Sequence, residues 1–214
     1  MISVIDYGAG NLRSVENALT ELQVPFAITS QPVDVRRAPA ILLPGVGHFG
    51  QMMRSLDRLG LVAVVRDAIG RGVPYLGICL GMQALFESSE EAPELPGLGI
   101  FSGSIRRFPE GMKVPHMGWN QLQITPGSRL FEGVTPEPFV YFAHSYYLPA
   151  GDGLAARPAA LSEYGSNFVA AIEDRNISGV QFHPEKSGEI GLRVLKNFSD
   201  QIERNNHRGT EARN

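Results

Sequence analysis

The amino-acid sequence predicts an α/β protein with an open, mostly parallel central sheet flanked by helices, and extra antiparallel strands in its second half. Three observations predict it. Strand-like and helix-like segments alternate through the first half. The strand-like runs there end in glycine-bearing loops, among them Asp6-Tyr7-Gly8-Ala9-Gly10 and Pro44-Gly45-Val46-Gly47. Prolines and glycines crowd the second half, between shorter strand-like runs.

Taken in order, residues 2–5 form a short apolar run, the first strand. Residues 12–23 repeat Leu12, Val15, Leu19 and Leu22 at helical spacing. Residues 26–28 and 40–43 read as the second and third strands, followed by helices starting near Phe49 and Leu61. Residues 74–78 make a buried strand that turns into a helix near Leu80. Shorter strands are expected at 99–107, 120–124, 139–143 and 168–173, as mixed or antiparallel additions to the same sheet. A closing helix over 188–202 carries Ile190, Val194, Leu195 and Phe198 on one face. One domain is expected over residues 1–203, with a polar, frayed tail over 204–214.

Composition narrows the function classes. A chain of 214 residues with 43% hydrophobic and 19% charged residues has the balance of a globular domain with a substantial core. A net charge of −3 gives no electrostatic case for nucleic acid or an anionic membrane surface. No apolar run reaches the roughly 18 residues of a membrane span. The start Met1-Ile2-Ser3-Val4-Ile5-Asp6 lacks the pattern of a signal peptide, and one cysteine makes no internal disulfide, so a cytoplasmic location is expected. The five histidines show no metal-ligand spacing, and no metal or cofactor is expected. The Gly8-Ala9-Gly10 loop fails the dinucleotide fingerprint because Arg13 stands where its third glycine belongs.

The chemistry centres on Gly77-Ile78-Cys79-Leu80-Gly81. A lone cysteine is most often a small buried hydrophobe. Here a strand leads into it, a helix leaves it, and glycines flank it, which is the pattern of a nucleophile elbow. The helix N-terminus behind it favours a thiolate. Downstream, Gln181-Phe182-His183-Pro184-Glu185 sets a histidine and a carboxylate two residues apart, on one side of an extended segment. His183 alone reads as structural and Glu185 alone as a solvated charge. Together with Cys79 they have the parts of a nucleophile, a base and its orienting carboxylate, and point to acyl transfer.

Other loops supply what such a site needs. The Leu80 N–H is one candidate oxyanion donor, and the loop holding Gly45 and Val46 offers a second, although an ordinary strand-to-helix turn has the same pattern. Trp119, in Pro115-His116-Met117-Gly118-Trp119-Asn120, suits either a buried core or an interface anchor. His144, in a strand running into a polar aromatic loop, lacks a nearby carboxylate and reads as a binding or packing residue.

These motifs, with Asp6-Tyr7-Gly8-Ala9-Gly10-Asn11-Leu12, His144-Ser145-Tyr146 and His183-Pro184-Glu185-Lys186-Ser187-Gly188, resemble the class I (triad) glutamine amidotransferases. Among these the chain is most similar to the family of glutaminase subunits of imidazole glycerol phosphate synthase. The Cys and His-Pro-Glu motifs specify only the superfamily; the 6–11 and 115–120 runs single out the subunit family.

The resemblance implies that Cys79 attacks the glutamine amide, His183 moves the protons and Glu185 supports the imidazolium. It assigns Gln83, Glu91, His144, Ser145 and Tyr146 to glutamine, and Gly45, Val46 and Leu80 to the oxyanion. It implies a heterodimer with a (β/α)8-barrel cyclase, met through Asn11, Met117, Trp119, Asn120 and Lys186, that receives the ammonia. In that family the oxyanion loop becomes productive on partner and ligand binding. The Gly45–Val46 peptide reads as the hinge, so Gly45→Ala is expected to damp activation more than docking. The alternatives are a glutaminase serving anthranilate, aminodeoxychorismate or pyridoxal phosphate synthesis, an idle scaffold protein, and an elbow cysteine hydrolase.

Overall fold

The computed structural model describes residues 1–8, 11–151 and 156–211. The first half follows the expected alternation: β1 (Ile2–Ile5), α1 (Leu12–Glu21), β2 (Phe26–Thr29), α2 (Pro32–Arg37), β3 (Ile41–Gly45), α3 (Phe49–Arg58), α4 (Leu61–Gly70) and β4 (Tyr75–Cys79). A single helical turn, α5 (Leu80–Gln83), follows β4. The short helix α2 starts on Pro32, whose fixed φ suits a first helical position. After it come β5 (Phe86–Ser89), β6 (Phe101–Arg107), β7 (His116–Gln121), β8 (Gln123–Ile124), β9 (Phe139–His144) and β10 (Tyr146–Tyr147). The chain ends with β11 (Pro158–Glu163), β12 (Asn167–Asp174), β13 (Ile177–Val180), a 3-10 turn at Pro184–Lys186, and α6 (Gly188–Glu211).

Eight strands make the main sheet, in the order β2-β1-β3-β4-β13-β12-β11-β8. The five from β2 to β13 are parallel and the last three antiparallel. Strands buried on both faces need no alternation, which is why Ile41-Leu42-Leu43 reads as one apolar run. One core, with Ile5, Leu43, Phe49, Leu56 and Val65, lies under α2, α3 and α4. The other, with Val4, Leu42, Leu19, Val194 and Phe198, lies under α1 and α6.

Three expectations are corrected. The strands at 99–107 and 139–143 do not join the main sheet: β6 pairs with β5 and β10, and β9 pairs with β7 in a two-stranded ribbon. The ribbon has its own reason to stand apart, since one pleat face, Val140, Phe142, His116 and His144, is buried while the other is open. The 120–124 segment splits between β7 and β8, which belong to different sheets. The closing helix runs past Ile202 to Glu211, because no proline follows Ile202 and the one glycine there, Gly209, falls only in the last turn; an Arg204–Glu132 pair at 3.3 Å lies along this extension. Residues 212–214 lie outside the described residues.

The arrangement sets β13 against β4, with Val180 beside Ile78, so the residues after β13 arrive at the end of β4. Phe182, fully buried, anchors that exit against Phe131 and Phe142, with ring centroids 6.3 and 6.0 Å away. Phe182→Ala is expected to lower stability by about 3–5 kcal/mol, read from denaturant unfolding, because a buried ring leaves a cavity its neighbours fill only in part.

Candidate active site

Cys79 ends β4 with φ +53°, a left-handed backbone rarely adopted by a residue with a side chain. The turn is possible because its neighbours are glycines. A Cβ on Gly77 would strike the Gly81 carbonyl, and one on Gly81 would strike the Leu43 carbonyl. The helix behind the thiol is one turn long, so its stabilisation of a thiolate is that of a few N–H groups rather than of a long dipole.

His183 and Glu185 meet as expected, by a different backbone. Pro184 opens a 3-10 turn, which curls Glu185 back over the ring instead of leaving it along an extended strand. The His183 Nδ1–H donates to Glu185 Oε1 at 2.8 Å, and both side chains are buried. This leaves Nε2 to face Cys79, which lines the same pocket and acts on the ring's charge. Burial opposes charge on the ring, but Cys79 and Glu185 on either side outweigh it and raise His183 from 6.5 to about 10.

Gln181, in a position the sequence reading assigned no role, donates from Nε2 to the Cys79 sulfur at 3.5 Å. The signal was available: it stands two residues before His183, on the same side of the chain. Gln83 donates from Nε2 to Gln181 Oε1 at 2.9 Å and to the Tyr146 carbonyl at 3.0 Å. Its own Oε1 is buried with no partner among the described residues.

A pocket of about 410 Å³ opens over the sulfur. Its walls hold Cys79 and His183, the expected glutamine residues Gln83, Glu91, His144, Ser145 and Tyr146, and Leu80, Val46, Asn11 and Lys186. Glu91 reaches it from the turn after β5 and accepts the Phe49 N–H at 2.7 Å, at the start of α3.

The loop holding Gly45 and Val46 departs from expectation. Gly45 has no positive φ; it is a glycine because a Cβ there would lie 2.5 Å from that of Leu80. The left-handed residue is Gly47, at φ +93°. Gly45→Ala therefore disturbs the elbow itself and does not isolate a hinge. The Val46 N–H donates to the Tyr7 hydroxyl at 3.3 Å, and the same hydroxyl lies 3.4 Å from the Val46 carbonyl. Burial raises the Tyr7 phenol to about 12, so it stays protonated.

The residues expected to meet a partner divide. Met117 and Trp119 are 64% and 57% exposed on the outer face of the β7–β9 ribbon, which decides against a core tryptophan. Phe139, 55% exposed, joins them from β9, and Tyr141 stands opposite Trp119. Lys186 lies 5.8 Å over the Tyr141 ring. Asn120 points off this face: its amide donates to the Glu163 carbonyl at 2.8 Å, and its Oδ1 accepts the Gln121 N–H.

With an elbow cysteine and a His–Glu pair just past the end of the neighbouring strand, the chain belongs to the class-I glutamine amidotransferases, whose family model matches residues 3–202. Solved structures share the fold: a glutamine amidotransferase crystal structure (TM-score 0.74, 19% identity, 94% of this chain and 98% of that one) and PurLQS from Thermotoga maritima (TM-score 0.67, 21% identity, 94% and 98%). The subunit family is equally plain. The chain is 46% identical to imidazole glycerol phosphate synthase subunit HisH of Moorella thermoacetica, over 94% of this chain and 95% of that one. It is 49% identical to that of Methanothermobacter thermautotrophicus, over 94% and 99%. It is a member of the HisH family.

A histidine held protonated stabilises the fold fully below its unfolded value of 6.5, and that contribution disappears as pH rises through about 10. In Glu185→Gln the carboxylate is gone, so the loss of stability between about pH 6.5 and about pH 10 is expected to shrink. Denaturant midpoints across this range measure it; superimposable profiles would show that Glu185 does not hold the ring proton.

Proposed function

We infer that this chain is the glutaminase subunit of imidazole glycerol phosphate synthase, hydrolysing glutamine and delivering ammonia to a cyclase subunit in histidine biosynthesis. The observation that carries the reading is the buried His183–Glu185 pair set in the same pocket as the elbow Cys79. The relatives' names support the choice of acceptor.

Cys79 Sγ attacks the amide carbon of bound glutamine, and the carbonyl oxygen becomes an oxyanion. The Leu80 N–H, at the start of α5, stabilises it. His183 gives its proton to the amide nitrogen, the C–N bond breaks and ammonia leaves. The glutamyl thioester remains on Cys79. His183 then takes a proton from water, the hydroxide attacks the thioester, and glutamate departs as the thiol is restored. Glu185 holds the ring's Nδ1–H throughout, and Gln181 orients the sulfur. The unpaired Oε1 of Gln83 is an acceptor for glutamine N–H groups, with Glu91, His144, Ser145 and Tyr146 shaping the rest of the pocket.

The partner is a (β/α)8-barrel cyclase in a cytoplasmic heterodimer, docked on the apolar ribbon face of Met117, Trp119, Phe139 and Tyr141. Aromatic residues exposed together on one rigid face have the makeup of an interface centre. Asn11 and Lys186 stand at the pocket rim, where ammonia would leave. Asn120 supports this face from behind. The cyclase uses the ammonia to make imidazole glycerol phosphate and aminoimidazole carboxamide ribotide, and the lyase step belongs to the complex.

Tyr7 holds the Val46 N–H, the second oxyanion donor, in an idle orientation until the partner engages. Glutamate release is expected to be low for the chain alone, to rise with the cyclase and its ribulosyl ligand, and to vanish in Cys79→Ala. Full activity alone, with no response to the cyclase, would favour another acceptor. Tyr7→Phe is expected to raise the activity of the isolated chain several-fold, roughly the worth of one hydrogen bond, and to shrink the partner's stimulation. An unchanged basal rate would remove Tyr7 from the gate.

A further inference from the structure

We propose that His116 is a positioning residue for glutamine, acting through His144 to fix the carbonyl of Tyr146 in the pocket wall. The proposal rests on the glutaminase reading and adds a residue that makes no contact with the catalytic three.

The two imidazoles form a continuous chain. His116 Nδ1 lies 3.1 Å from His144 Nε2, and His144 Nδ1 lies 2.8 Å from the Tyr146 carbonyl. At the other end the Asn120 amide nitrogen lies 3.4 Å from His116 Nε2. The ends set the direction. A carbonyl only accepts, so His144 carries its hydrogen on Nδ1 and leaves Nε2 bare. His116 must then donate from Nδ1, and its bare Nε2 accepts from Asn120. One neutral proton arrangement satisfies every contact.

The surroundings keep it neutral. His116 is stacked between Tyr164 and Phe142, with centroids 4.0 and 5.1 Å away, and Phe108 and Phe168 each pack 5.2 Å from His144. Burial holds His116 down at about 4. Burial first, then the neighbouring His116 and His183, hold His144 at about 3, against the pull of the Tyr146 carbonyl.

The Tyr146 carbonyl has two donors, His144 and Gln83. Gln83 divides its amide hydrogens between that carbonyl and Gln181, which aims its unpaired Oε1. If the carbonyl loses its anchor, Gln83 loses one of the two acceptors that orient it. Glutamine affinity falls, while Cys79, His183 and Glu185 keep their own contacts.

Two variants separate positioning from packing. His116→Phe keeps the ring and loses the donor. His116→Asn loses the ring and keeps a donor at the Nδ1 position. With the cyclase present, His116→Phe is expected to raise KM for glutamine about five- to tenfold, the effect of one lost buried hydrogen bond, with kcat within about twofold of wild type. His116→Asn is expected to be the less stable protein and yet to recover most of the KM. A wild-type KM in His116→Phe, or a KM that follows stability through both variants, overturns the proposal. If the wild-type complex hydrolyses no glutamine, the glutaminase reading falls instead. Imidazole nitrogen NMR shifts then judge the pair directly: both rings neutral with hydrogen on Nδ1 is the expected result, and any other tautomer refutes the chain of donors.

Discussion

A cysteine at φ +53° is the constraint on which the rest of this molecule depends. A backbone of that kind costs energy of order 1–3 kcal/mol for a residue with a side chain, and it persists only where the surroundings over-determine it. Here β3, β4 and α5 are pressed so closely that Gly45, Gly77 and Gly81 admit no Cβ. The crowding raises the thiol out of the strand and into the pocket. It also leaves the loop after β3 beside the sulfur, where its peptide groups can serve or be withheld.

The second half of the chain is built around delivering a histidine to that thiol. Strand β13 pairs with β4, and the chain leaving it is held from the other side by β9: the His183 N–H donates to the Tyr141 carbonyl at 2.9 Å, and the Tyr141 N–H to Ser187 Oγ at 3.0 Å. Tyr141 also belongs to the open apolar face of the ribbon, so one strand both presents that face and holds the backbone of His183. The inner face of the same ribbon holds His116 and His144. A two-stranded ribbon thus links the exposed apolar face, the backbone of His183 and the pocket wall at His144. Such economy explains why its residues include several polar groups that an ordinary strand would leave in solvent.

What was legible in the sequence was local. The elbow declared itself because glycine, cysteine and glycine fall within five residues, and the first-half strands because buried parallel strands are plain apolar runs. Strand β13 escaped: Ile177-Ser178-Gly179-Val180 is short and half polar or small, yet it occupies a central place because Gly179 lets Met82 and Ile172 approach. Gln181 escaped although its place two residues before His183 put it on the same side of the chain, because an amide there is as often a packing residue. The reason for Gly45 was misread, since a glycine kept for contact with Leu80 looks in sequence like one kept for freedom. Trp119 was ambiguous until the pleat of β7 placed it outward. The separate sheets of β6 and β9 depend on pairings between distant segments, which no local pattern encodes.

The placement of β13 between β4 and β12 has a consequence for the chain as it is made. Cys79 and Gln181 are 102 positions apart, and the histidine lies farther still. Synthesis from the N-terminus completes β1 to β4 long before the strand that fills the neighbouring slot exists. Throughout that interval Cys79 has neither His183 nor Glu185 beside it. The elbow is thus complete in the growing chain before the residues that will surround its thiol have been made, and the proposed chemistry waits on β13 taking its place between β4 and β12.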